Sequence, residues 1–167
     1  MRLNPLGRRL LTTKGASRRM AGIRQCGTMP EEQVRKILGS LGLRFVTAHR
    51  SLPGSPDFAN RRRRLALFVH GCYWHSHCGC RLATIPKSNR EFWISKFARN
   101  RQRDRRVQAK LRRMGFRVVV VWQCQLATPT TVRRRLLRLF RVCRSGTSPP
   151  VARPTRRAQR SILHDLP

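Results

Sequence analysis

The sequence predicts an α/β fold, one mixed sheet flanked by helices, in the order α-β-β-β-α-β-α. Three observations predict it. Residues Phe116 to Trp122 (FRVVVVW) form the strongest strand signal in the chain and read as buried on both faces. The apolar run Leu65 to Val69 reads as a central buried strand, with shorter strand signals before it. Three further segments place apolar residues at helical spacing.

Taken in order, residues 1 to about 27 are basic, irregular and rich in Gly and Ser/Thr, and read as mobile in the free protein. Thr28-Met29-Pro30-Glu31 fits a capping box with Pro in the first turn. Val34, Ile37, Leu38 and Leu41 then share one face, and Gly42 stops the helix. Leu43 to Ala48 alternates as a strand, and Leu52-Pro53-Gly54-Ser55-Pro56 is a turn. Asp57-Phe58-Ala59 opens a short strand, and Arg61 to Arg64 makes a charged turn before the central strand. Ser88 or Asn89 caps a long helix from about Arg90 to Met114, with Phe92, Trp93, Phe97, Val107, Leu111 and Met114 inward. Gly115 ends it. Thr128-Pro129 opens a last helix with Val132, Leu136, Leu139 and Phe140 inward. The expected organisation is a basic extension over 1–17, one domain over 18–143 and a basic tail over 144–167, with both ends disordered.

Charge is the extreme feature. Against 38 Lys+Arg stand 6 Asp+Glu, a net charge of +32, which points to a polyanionic partner, nucleic acid first. No apolar run approaches the ~20 residues of a membrane span. The basic N-terminus lacks the apolar core of a signal peptide. Six cysteines without an export signal favour metal over a disulfide framework. Acid chemistry must come from Glu31, Glu32, Asp57, Glu91, Asp104 and Asp165.

The chemistry concentrates in Phe68 to Cys80 (FVHGCYWHSHCGC), just past the central strand. A structural zinc site needs four N/S ligands, and the donors available are Cys72, His75, His77, Cys78, Cys80 and Cys124. The best set is Cys72, His77, Cys80 and Cys124, with Cys78 as an alternative to Cys80; unrelated buried thiols are the bland alternative, which this density of donors disfavours. Cys26 and Cys143 are expected to be free. Asp57 sits in a Pro-Asp step at a strand start, a rigid turn that aims a carboxylate, and Mg²⁺ takes hard oxygen ligands such as this one and a main-chain carbonyl of Val69. A turn-capping role for Asp57 is the bland alternative. Glu31 divides between a helix cap and a site at the end of the sheet. His70 and His75 bracket Tyr73-Trp74, and either can take a proton from water. The Tyr-Trp pair is core or a flat wedge beside cations, and Met20 in the basic arm is unremarkable on spacing alone.

These residues resemble the very short patch repair (Vsr) endonuclease family. The marks run from about Ser17 to Leu126: Thr28-x-x-Glu31, Leu52-Pro53-Gly54-Ser55-Pro56-Asp57-Phe58, His70-Gly71-Cys72-Tyr73-Trp74-His75, Glu91-Phe92-Trp93, Lys96, Asn100, Arg103-Asp104, Gly115-Phe116-Arg117-Val118 and Val121-Trp122-Gln123-Cys124. The resemblance implies a restriction-endonuclease-like three-layer α/β/α fold with a structural zinc site, and a Mg²⁺-dependent nick 5′ to the thymine of a T·G mismatch left by deaminated 5-methylcytosine. It implies Asp57 and the Val69 carbonyl on Mg²⁺, His75 as general base, and His70 with Glu31 ordering the water at the ion. It implies Cys72, His77, Cys80 and Cys124 on zinc, Met20, Tyr73 and Trp74 intercalating, and Trp93 on the DNA face. Double-stranded DNA is the implied partner of a monomer without membrane contact in the bacterial cytoplasm, at the nucleoid, with a functional link to a cytosine methyltransferase and mismatch-repair proteins. Val69 stands where the family usually has Thr or Asp. The competing expectations are a non-catalytic, zinc-containing nucleic-acid-binding protein and a nuclease of the same fold without mismatch choice.

Overall fold

The structure, a computed structural model, describes residues 26–47 and 50–142 together with the isolated positions 15, 18, 21 and 22. Helix α1 (Met29–Ser40) is followed by β1 (Val46–Thr47), β2 (Phe58–Asn60) and β3 (Leu65–His70). Helix α2 (Arg90–Arg113) crosses to β4 (Arg117–Trp122), a 3-10 turn (Gln123–Ala127) and α3 (Pro129–Val142). The strands lie in sequence order, β1-β2-β3 antiparallel and β3-β4 parallel.

Side chains alternate across the sheet because successive residues of a strand point to opposite faces. Leu65 and Leu67 of β3 and Val119 and Val121 of β4 join Val34, Ile37 and Leu38 of α1 and Val132 and Leu136 of α3 in one core. Ala66 and Phe68 face the other way and pack with Leu52, Leu111 of α2 and Phe116, with Val107, Val118 and Val120 beside them. Two helices on one face and one on the other make the three-layer α/β/α arrangement. Arg61–Arg64 forms the tight charged turn between β2 and β3, closed by the Arg64 N–H on the Arg61 carbonyl at 3.1 Å.

Several local expectations are corrected. The first strand is only Val46–Thr47 and both residues are exposed; Leu43 and Phe45 pack on the core, alternating with exposed Arg44 and Val46, but from chain outside the strand. β4 is buried on one face through Val119 and Val121, while Val118 and Val120 are half-buried under α2. Met114 is 40% exposed because α2 ends one residue earlier and the chain turns there. Asn89 is the N-cap of α2, but in a left-handed conformation without a side-chain cap bond. The expected extension apart from Gly15, the tail, Met20, Cys143 and the side chain of Phe140 lie outside the described residues. Among the described residues no helix is long and apolar enough to cross a membrane.

Candidate active site and metal centre

The parallel pair β3-β4 ends with His70 paired to Trp122, and the functional side chains gather at that end, where open α/β sheets hold their ligands. A cavity of about 440 Å³ is lined there by Glu31, Asp57, Val69, His70, His75, Arg103 and Asp104, among others. Because Phe58 pairs with Leu67, Asp57 arrives opposite the end of β3. Its Oδ2 accepts the Val69 N–H at 2.7 Å. Burial, with the negative charge of Glu31 adding to it, pushes the Asp57 carboxyl up to about 6 against the hydrogen bond from Val69. The turn that presents Asp57 lies tight against α2: a Cβ on Gly54 would overlap the γ carbons of Val107, and Gly54 has φ +70°. The loop bearing one carboxylate is thereby seated against the helix bearing another.

That second carboxylate is Asp104, one turn before Val107 on α2. His75 Nδ1 and Asp104 Oδ2 are 2.6 Å apart. Burial works to raise the Asp104 pKa, but the His75 hydrogen bond and the charges of His75, His70 and Arg103 outweigh it and hold it below the usual range. An ionised Asp104 only accepts, so His75 Nδ1 carries the proton and donates, and Nε2 is left as an acceptor. His70 lies flat on His75, with ring centroids 3.9 Å apart and planes 9° apart. Burial and the neighbouring His75 push His70 down to about 4, so at neutral pH it is uncharged. Asp104 was absent from the set of expected catalytic residues. Its partner is 29 positions away, and the scarcity of acids and the Arg103-Asp104 mark of the resemblance pointed to it without giving it a role.

Glu31 serves two places. It lines the cavity, and its carboxylate accepts the Gly27 N–H at 2.9 Å and the Thr28 hydroxyl at 2.7 Å. The expected capping box does not form: Thr28 is the N-cap, but its hydroxyl donates to Glu31 instead of accepting from the helix, and Glu31 takes the N–H of Gly27 instead of that of Thr28.

Beside the cavity, Cys72, His77, Cys80 and Cys124 bring one donor atom each to within 4.8 Å of one another. His77 Nδ1 is 3.6 Å from Cys72 Sγ and 3.3 Å from Cys124 Sγ. Tetrahedral zinc with Zn–S of about 2.3 Å and Zn–N of about 2.0 Å separates its ligands by roughly 3.5–3.8 Å, so the four residues fit that ion. Burial pushes the Cys72 thiol up to about 12, so a thiolate there needs a cation. The His77 N–H on the Cys72 carbonyl at 3.0 Å and the Cys80 N–H on the His77 carbonyl at 3.2 Å fold the loop round the cluster. Cys78 and Cys26 are exposed.

On the other flank, Tyr73 packs edge-on against Trp74 (5.0 Å), Trp93 (5.7 Å) and Phe97 (5.3 Å). Trp93 is buried, 9% exposed, and Tyr73 and Trp74 are half-buried. Lys96 Nζ lies 5.2 Å from the Trp74 ring and 5.0 Å from the Trp93 ring, a cation set against aromatic faces. Asn100 Nδ2 donates to the Trp74 carbonyl at 2.9 Å. The arginines of the 61–64 turn, of α2 between 99 and 106, and of α3 between 133 and 135 are exposed, a surface suited to phosphates.

Comparison with known proteins adds four findings. The family described as DNA mismatch endonuclease Vsr matches residues 9–81. The chain is 45% identical over 135 residues to the Type II nicking enzyme V.XorIIP of Xanthomonas oryzae pv. oryzae, covering 81% of this chain and 93% of that protein. It is 40% identical over 110 residues to the DNA mismatch endonuclease Vsr of Escherichia coli K12, covering 66% and 70%. Among solved structures, the Homing Endonuclease I-Bth0305I Catalytic Domain aligns with a TM-score of 0.48 at 21% identity, over 70% of this chain and 98% of that one.

Proposed function

Because this chain belongs to the Vsr family of DNA mismatch endonucleases, we propose that it nicks one strand of a duplex 5′ to the thymine of a T·G mismatch, in a reaction that needs Mg²⁺. The chain is a DNA endonuclease; the base pair, the ion and the residue roles are the proposal. The observation that carries it is the cavity in which Asp57 meets the His75–Asp104 pair.

A magnesium ion held by Asp57 and the Val69 main-chain oxygen would supply charge neutralisation at the phosphate. The donor set fits: a carboxylate and a carbonyl are hard oxygens, and the remaining positions open onto a polar cavity. His75 Nε2 takes a proton from the attacking water, and Asp104 stabilises the imidazolium that results. His70, neutral and stacked on His75, holds that ring in plane. Glu31 reaches the same cavity and orders water. Arg103 is the cation that faces the scissile phosphate.

Cys72, His77, Cys80 and Cys124 would hold a structural zinc ion that fixes the loop carrying Tyr73, Trp74 and His75. Tyr73 and Trp74, with Met20 from the arm outside the described residues, wedge beside the mismatch, backed by Trp93 and Lys96. A wobble pair is cheap to unstack, so a wedge selects it over matched pairs. A functional link to a cytosine methyltransferase and to mismatch-repair proteins, a monomeric state and a place at the bacterial nucleoid complete the reading. The test is nicking of a duplex with one T·G pair beside a matched duplex; equal cutting of both would leave an endonuclease without mismatch choice.

A further inference from the structure

The cavity and the cysteine cluster are joined by a continuous run of ring contacts. His77 lies flat on Trp122, centroids 4.0 Å apart and planes 5° apart. Trp122 meets His70 edge-to-face at 5.2 Å and 81°, and His75 at 6.4 Å and 76°. His70 is stacked on His75, and His75 ends on Asp104. The run crosses the loop after β3, the ends of β4 and β3, and α2. It follows from the register, which pairs Trp122 directly with His70. Gln125 Oε1 accepts the Trp122 N–H at 3.2 Å and pins the indole's backbone just before Cys124.

We propose that Trp122 is a positioning residue that transmits the state of the Cys/His cluster to the catalytic histidines; the inference rests on the nicking reading above. An imidazole on a dication carries partial positive charge, and its attraction for an indole face rises accordingly. A zinc ion held by the cluster would strengthen the stack of His77 on Trp122. The indole, held there, sets a stop for His70 in edge contact with it, and through the stack for His75. Removing the indole leaves a gap into which His70 turns, and the His75 ring loses its plane. A displacement of about 1 Å costs on the order of 10²-fold in rate. Tyr73, Trp74 and Lys96 lie on the other flank, so duplex binding is spared.

Trp122→Leu and Trp122→Phe are compared with the wild type, each isolated with zinc and measured for zinc content, affinity for a T·G duplex, single-turnover nicking, and the downfield proton resonance of His75 Nδ1–H. Trp122→Leu is expected to keep one zinc per chain and an affinity within about twofold, to nick about 10- to 100-fold more slowly, and to lose the resonance. Trp122→Phe, which keeps a ring between His77 and His70, returns the rate to within about threefold and keeps the resonance. If the Leu variant does not hold zinc, Trp122→Met takes its place under the same expectations. A zinc-loaded Leu or Met variant that nicks at the wild-type rate overturns the inference, as does a Phe variant as slow as Leu. If the wild type does not nick, the nicking reading fails, and the proton resonance decides: its persistence in the Leu or Met variant overturns the coupling, and its loss there with retention in Phe supports it.

Discussion

Replacing Asp57 by Asn should stabilise the magnesium-free protein while abolishing nicking. The Asp57 carboxyl lies at about 6 in the fold against an ordinary 3.8, because it is buried and near Glu31. A group whose folded pKa is raised binds its proton more tightly in the fold, so stability falls as pH rises through that window. The penalty is small below about pH 4, grows between 4 and 6 and is complete above 6. Two units correspond to about 3 kcal/mol, and relaxation of the site leaves about 1–3 kcal/mol to be recovered. Asn removes the charge and keeps an oxygen for the Val69 N–H. At roughly 3–4 °C per kcal/mol for a chain of this size, Asp57→Asn should melt about 3–10 °C above the wild type at pH 8 without Mg²⁺. Linkage reduces that gap to about half by pH 5. Adding Mg²⁺ should raise the wild-type melting temperature and leave the variant unmoved. Thermal melts of both zinc-loaded proteins from pH 5 to 8 check this. Equal melting temperatures at pH 8, or a gap independent of pH, would refute the account of Asp57 as a carboxylate held at a cost for the ion.

The remaining predictions concern the base, the cluster, the wedge and the surface. Asp104→Asn should lower the single-turnover rate about 10²-fold or more with affinity unchanged, because an amide oxygen no longer stabilises the imidazolium; a wild-type rate would remove Asp104 from the mechanism. Cys80→Ser should lose zinc and melt at least ~10 °C lower, since metal affinity is folding energy in such sites, whereas Cys78→Ser should match the wild type in both; zinc content and melting curves decide, and the reverse pattern would exchange the two thiols. Trp74→Ala should weaken mismatched binding about tenfold more than matched binding in paired titrations, and equal losses would count against a wedge. Affinity should fall by about 10³-fold or more between 50 and 200 mM salt, given how many arginines the surface exposes; a shallow slope would deny a phosphate-dominated interface.

Much of this was legible because periodicity and spacing are local. The β3 and β4 strands and the long α2 follow from their apolar patterns, and the cysteine and histidine spacings place the cluster just past a strand. What was not legible depends on partners distant in sequence. Asp104 looks like one charge on a basic helix until His75 is brought to it across 29 residues. Leu43 and Phe45 alternate like a strand, yet the core accepts them from irregular chain. Glu31 read as a cap or as a site residue, and its carboxylate both holds the chain that enters α1 and lines the cavity. Trp122 read as the end of a strand, and only the parallel register makes it the ring between two sites.

The central claim is tested most directly with a labelled duplex carrying one T·G pair beside its matched control, incubated with the zinc-loaded protein with and without Mg²⁺. The account predicts a single nick, 5′ to the mismatched thymine, only with Mg²⁺ and only in the mismatched duplex. Equal cutting of both duplexes, or a nick that persists without a divalent ion, would contradict it.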